Sequence, residues 1–144
     1  MPSKLYGNFL AKALNKEVDF DSDTIKVALL SSSYTPNQDT HDYFDDVSTY
    51  EVTGTGYTSG GQTLGSKTVT YDSANNVIIL DAADVTWSSS TITARYAVVY
   101  DDSGATASAK ALIGYVDFSS DQSSTNGNFT ITWDSTGIVR ITVA

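Results

Sequence analysis

The chain has no cysteine, a single histidine and two prolines among its 144 residues. Each shortage removes a class of chemistry. Without cysteine there is no disulfide framework and no thiolate metal site, a composition that fits a reducing compartment. With His41 as the only imidazole, a Ser-His-acid triad would have to pass through it, and no Gly-x-Ser-x-Gly elbow accompanies it. Zinc catalysis is equally poorly served. Long apolar runs are missing too. The opening MPSKLYGNFLAKALNK reads neither as a signal peptide nor as a membrane span. Positive charge is scarce: 8 Lys and Arg against 17 Asp and Glu give a net charge of −9 and a pI of about 4.2. Such a surface repels phosphates, which argues against a nucleic-acid partner. Gly60-Gly61-Gln62-Thr63 lacks the lysine of a phosphate loop, so nucleotide binding is not expected.

Serine and threonine, by contrast, make up about a quarter of the chain. Threonine favours strands and serine favours turns. Short alternating runs recur at 24–30, 66–71, 77–80, 91–100, 112–118, 129–133 and 139–143, with turn signals between them. That spacing predicts an all-β fold, an antiparallel β-sandwich or jelly-roll-like domain. The chain reads as one domain over 1–144. Leu5, Phe9 or Leu10, Ala13 and Leu14 predict one N-terminal helix at about 3–16, capped by Ser3. Ile25, Val27 and Leu29 share a face, which predicts a half-buried strand. Asp134-Ser135-Thr136-Gly137 reads as a hairpin turn, and residues 119–128 read as a Ser-rich loop.

Between the strands at 24–30 and 66–71 runs a loop of unusual length for a small domain, and loops of this kind are usually functional or disordered. Tyr34, Tyr43, Phe44, Tyr50 and Tyr57 can anchor it, which predicts order. It is the candidate working surface, and Tyr34, Pro36, Asn37, His41, Tyr43, Phe44, Tyr50 and Tyr57 are the candidate partner contacts. Tyrosine suits protein interfaces because a rigid ring carries a polar tip. The same residues could instead fasten the loop to its own sandwich, as expected for about half of them.

Other constellations are weaker. Asp19, Asp21 and Asp23 resemble the start of a calcium loop, but Thr24 and Leu30 stand where glycine and glutamate are needed. Asp42, Asp45 and Asp46 read as capping and surface charge. No pair of carboxylates is singled out for glycoside hydrolysis. Trp133 falls in phase with Phe129 and Ile131, and Tyr96 and Tyr100 with Ile92 and Val98, so these three aromatic residues are expected in the core. Trp87 is left as the tryptophan expected on the surface, where it could stack on a sugar. Neither a catalytic residue, a cofactor nor a metal is expected.

The segments TIKVALL (24–30), SYTPNQDTHDYFDDV (33–47) and EVTGTGYTSGG (51–61) resemble a family of small structural proteins of tailed bacteriophages. TITARYAVVY (91–100) and LIGYVDF (112–118) extend the likeness over nearly the whole chain. The resemblance implies a non-enzymatic virion component. The role expected first is a capsid decoration (cement) protein, made in the bacterial host cytoplasm and bound to the major capsid protein on the outer capsid surface. There it would form a symmetric homo-oligomer, with a trimer favoured, since repeated interfaces follow shell symmetry. The alternative is a tail- or fibre-associated protein that binds a receptor or carbohydrate.

Overall fold

The structure, a computed structural model, describes residues 3–144. Met1 and Pro2, the first residues of the expected domain, lie outside the described residues. The fold is an all-β sandwich of two antiparallel sheets. Its elements are β1 (Ser3–Leu5), α1 (Phe9–Leu14), β2 (Ile25–Leu30), β3 (Gln62–Thr63), β4 (Thr68–Asp72), β5 (Val77–Asp81), β6 (Val85–Asp101), β7 (Leu112–Ile131) and β8 (Val139–Thr142). The large sheet has the order β1-β7-β6-β2-β3, and the small one β4-β5-β8.

The N-terminus departs from expectation. Ser3–Leu5 is not the first turn of a helix but a strand paired with Val116, Tyr115 and Gly114 of β7. The helix is only the six residues that follow Asn8. A partner more than a hundred residues away overrides the local helical spacing.

The main core draws on both sheets and on α1. Phe9, Ile25, Val27, Leu29, Leu80, Trp87, Ile113, Phe129, Trp133 and Val139 all belong to it. The large sheet is also covered on its other face. There Ala28, Leu30, Tyr96, Val98, Tyr100 and Leu112 meet Tyr6 and the loop residues Tyr34, Phe44 and Val47 in a second core. Strand β2 is therefore buried on both faces rather than half-buried, because the loop acts as the missing third layer.

Strand β6 changes face along its length. Ile92 and Ala94 point into the main core, as do Ala97 and Val99, while Tyr96, Val98 and Tyr100 point under the loop. The pairing with β7 slips between Ala94 and Tyr96. One extra residue at that bulge exchanges inside for outside, since side chains alternate with period two. Tyr96 and Tyr100 are core residues as expected, but not on the face of Ile92.

The Ser-rich stretch after Phe118 is strand, not loop. Gln122, Ser123 and Ser124 pair with Ala94, Thr93 and Ile92, and Thr93 Oγ1 meets Ser123 Oγ at 2.8 Å. The turn at 134–137 uses Gly137 at φ +105°. It leads from the large sheet to the small one, so it is not a hairpin.

Candidate functional site

The loop enters from β2 and returns to it. Ser31 N–H donates to Tyr50 O and Val52 N–H to Leu29 O. At its far end Gly61 sits against β2 at φ +79°. A Cβ there would fall 1.8 Å from Val27 O, so no other residue fits. Two short 3-10 turns, Phe44–Asp46 and Ser48–Tyr50, organise the middle. The first lies within the acidic stretch at 42–46. Asp46 begins it by accepting from Asp42 and Tyr43 N–H with one carboxylate oxygen, so this acidic cluster caps backbone.

The expected partner contacts are mostly spent inside the molecule. Tyr34 is buried among Tyr50, Tyr96 and His41, with ring centroids 5.4–5.5 Å away. Its hydroxyl lies 2.8 Å from Tyr6 Oη and 2.9 Å from His41 Nδ1. Asn37 N–H also donates to that nitrogen. With two contacts at Nδ1, His41 serves as a loop fastener. Burial pushes the Tyr34 hydroxyl up to about 12 and Tyr6 higher still. Both phenols stay protonated and serve as donors rather than bases.

Phe44 is buried, stacked on Tyr100 at 4.2 Å. Tyr50 and Pro36 are half-buried. Tyr57, also half-buried, accepts from Leu29 N–H at 3.1 Å and donates to Glu51 Oε1 at 2.6 Å. The same carboxylate receives Ser59 Oγ and Gly60 N–H. Tyr43 donates to Glu17 at 2.6 Å, and its hydroxyl is pushed up to about 12, chiefly by that carboxylate. Over its ring sits the Lys12 ammonium, 3.5 Å from the centroid. Lys12 is buried, donates to Asp42 O at 2.6 Å and pairs with Asp42 Oδ2 at 3.4 Å. Of the eight candidates only Asn37 is exposed, and its Oδ1 accepts from Asp39 and Thr40 N–H.

Trp87 is not on the surface. It is 1% exposed, stacked on Tyr57 and edge-on to Phe129. The bulge pattern of β6 turns it into the main core, so a sugar platform built on it has no basis.

Two further clusters concern charge. In the 19–23 turn, Asp23 Oδ2 accepts from Asp19 N–H and Asp19 Oδ1 from Ser22 N–H. The carboxylates hold their own backbone. Asp23 also faces Asp101, which is 3% exposed. Asp101 Oδ1 accepts from Ser103 N–H, whereas Oδ2 is buried without a donor. Desolvation, reinforced by Asp23, raises the Asp101 carboxyl to about 6. Its neighbour Asp102 is held low by Lys110 and Lys26. Among the described residues, no three His, Asp or Glu side chains gather as a metal site requires. Among the described residues no helix is long and apolar enough to cross a membrane.

What sequence reasoning missed is an apolar groove of about 600 Å³ between α1 and the small sheet. Phe9, Leu10, Ala13, Val69, Ile78 and Ile141 form its walls. Among the described residues five large apolar side chains are exposed: Leu10 (41%), Leu14 (85%), Val69 (48%), Tyr71 (55%) and Val143 (43%). Leu10 and Leu14 lie on α1, Val69 and Tyr71 on β4, and Val143 just past the end of β8. The signal was present in Leu10 and Leu14, which form a second apolar row at i, i+4 beside Phe9 and Ala13.

Comparison with known proteins identifies no relative: no family model, no curated protein and no solved structure matches this chain.

Proposed function

We propose that this chain is a non-enzymatic structural protein of a tailed-bacteriophage virion, a capsid decoration protein on the outer face of the shell. The observation that carries the reading is the economy of the loop. Its aromatic rings, its histidine and the carboxylates of Asp42, Asp46 and Glu51 are turned to holding the loop in place. What remains outside is a rigid acidic body whose exposed apolar side chains gather on one side. That is a build for docking. The likeness of the segments at 24–30, 33–47 and 51–61 to phage structural proteins supplies the context.

In this reading Leu10 and Leu14 on α1, with the polar rim of the loop around Asn37, face the major capsid protein. A net charge of −9 suits the outer surface of a shell whose interior holds DNA. A protein that binds only the mature lattice stabilises that lattice by mass action.

The test is the location and copy number of the chain in purified particles, followed by heating of particles that lack it. Labelling across the shell, and earlier DNA release without the chain, are the expected results. Absence from particles, or a position only at the tail, would refute the proposal.

A further inference from the structure

We infer that two copies of this chain pair antiparallel through β4, about a two-fold axis at Thr70. The starting observation is a difference among the edge strands. Natural proteins guard open edges with charge, proline, bulges or very short strands. Here β1 has three residues and includes Lys4, β3 has two residues, and β8 carries Arg140. Strand β4 has five residues, Thr-Val-Thr-Tyr-Asp, and ends the small sheet with its outer side unpaired. Lys67 precedes it, but that ammonium is turned inward onto Asp23 O. Of the four strands that end a sheet β4 is thus the longest, and its one charge, Asp72, stands at the strand end with its carboxylate turned to the N–H groups of Ala74 and Asn75.

The strand is also complementary to itself. Val69 and Tyr71 pair with Leu80 and Ile78 of β5. They therefore stand on the apolar face, in rows that continue to Val139 and Ile141. A two-fold centred on Thr70 sets Val69 opposite Tyr71 of the second copy, and Thr68 opposite its Asp72. An aromatic ring beside a β-branched side chain is among the favourable cross-strand pairs. No like charges meet. A shift by one residue moves each apolar side chain opposite one from the other face. Centring on Val69 instead brings Tyr71 opposite Lys67. The register at Thr70 alone joins the two exposed apolar groups to each other, and it merges the two three-stranded sheets into one.

This arrangement rests on the edge itself and not on a place in a particle, so a dimer found outside virions leaves it intact. Sedimentation of the full chain across a concentration series is expected to show twice the monomer mass. Val69→Lys is expected to restore the monomer while keeping the circular dichroism of the fold. The chain has no cysteine, so Thr70→Cys supplies a single thiol. Directly opposed residues in an antiparallel pair lie about 4.5–5.5 Å apart, within reach of a disulfide. Mild oxidation is expected to link Thr70→Cys into dimers and to leave Thr68→Cys unlinked. A wild-type monomer, a trimer, a dimer indifferent to Val69→Lys, or equal linkage of both cysteine variants would each overturn the inference.

Discussion

Two parts of this sandwich treat their apolar side chains in opposite ways. The loop at 31–61 is rich in aromatic rings, and each of them is buried or half-buried. The side formed by α1 and β4 has two aromatic rings, and while Phe9 is buried it exposes Tyr71 together with Leu10, Leu14 and Val69. The difference lies in what each side chain can tie down. A tyrosine placed over a sheet buries its ring and still finds a partner for its hydroxyl. Tyr34, Tyr43 and Tyr57 do so on His41, Glu17 and Glu51. A leucine on a six-residue helix has no such handle, and it stays in water unless another surface covers it. Aromatic content therefore marked the part of the chain that is fixed, not the part that is free to bind.

The comparison breaks first at Tyr34. Tyr34→Ala should cost about 3–5 kcal/mol, the range for removing a large buried aromatic side chain. It also strands the Tyr6 hydroxyl, which sits 2.8 Å away. Chemical denaturation reads the loss. An effect below about 1 kcal/mol would mean the loop does not seal the large sheet.

Lys12 is where the two sides meet, since it reaches from α1 to the loop. Lys12→Met keeps the stem and deletes the ammonium that serves Asp42 and the Tyr43 ring. Breaking a buried ion pair costs about 3–5 kcal/mol. Asp42 is partly exposed here, so about 2–3 kcal/mol is expected from the same measurement.

Asp101 sharpens the comparison through pH. Its carboxyl is raised from 3.8 to about 6 in the folded chain. The folded state thus holds the proton more tightly than the unfolded one. The group destabilises fully above about pH 6, and the penalty fades as pH falls toward 4. Asp72, Asp117 and Asp134 are lowered by hydrogen bonds from Asn75, Arg95 and Thr136. Their contribution is lost only at lower pH, as the solution falls through their folded values. Asp101→Asn should flatten the stability profile between pH 4 and 7. At pH 7 it should raise stability by about 1–2 kcal/mol, the scale of a buried acceptor left without a donor. An unchanged slope would show that burial does not raise the Asp101 carboxyl in the folded chain.

Much of this fold was legible from alternation. The strands at β2, β5 and β8 and the core position of Trp133 follow from apolar spacing, and the capping by the acidic stretch at 42–46 follows from its chemistry. Three features were not legible, each for its own reason. The bulges of β6 have no residue signature, yet the shift between Ala94 and Tyr96 decides which face Tyr96 takes, and the shift between Trp87 and Ser90 decides that of Trp87. The Ser-rich part of β7 has little apolar alternation because its outer face meets water, and Ser119 and Asn126 adopt positive φ within it. Strand β1 exists only because β7 is there to receive it. At the candidate site, the loop and its anchors were readable, but the direction of each ring was not. That direction depends on whether the sheet beneath offers a hydrophobic face, and the bulge helps to create one.

The smallest effect on stability belongs to the open side. Leu14 is 85% exposed, and substitutions at such positions usually stay within about 0.5 kcal/mol. Leu14→Ser should leave the denaturation midpoint where it is. It should also leave the mass of the free chain unchanged, because Leu14 lies on α1 and not on the β4 edge. What it should weaken is retention on shells, measured as the fraction of chain that cosediments with particles. Val69→Lys should do the reverse, altering the mass first. If Leu14→Ser unfolded the chain, the groove would be part of the core, and the contrast between the sealed and the open side would fail.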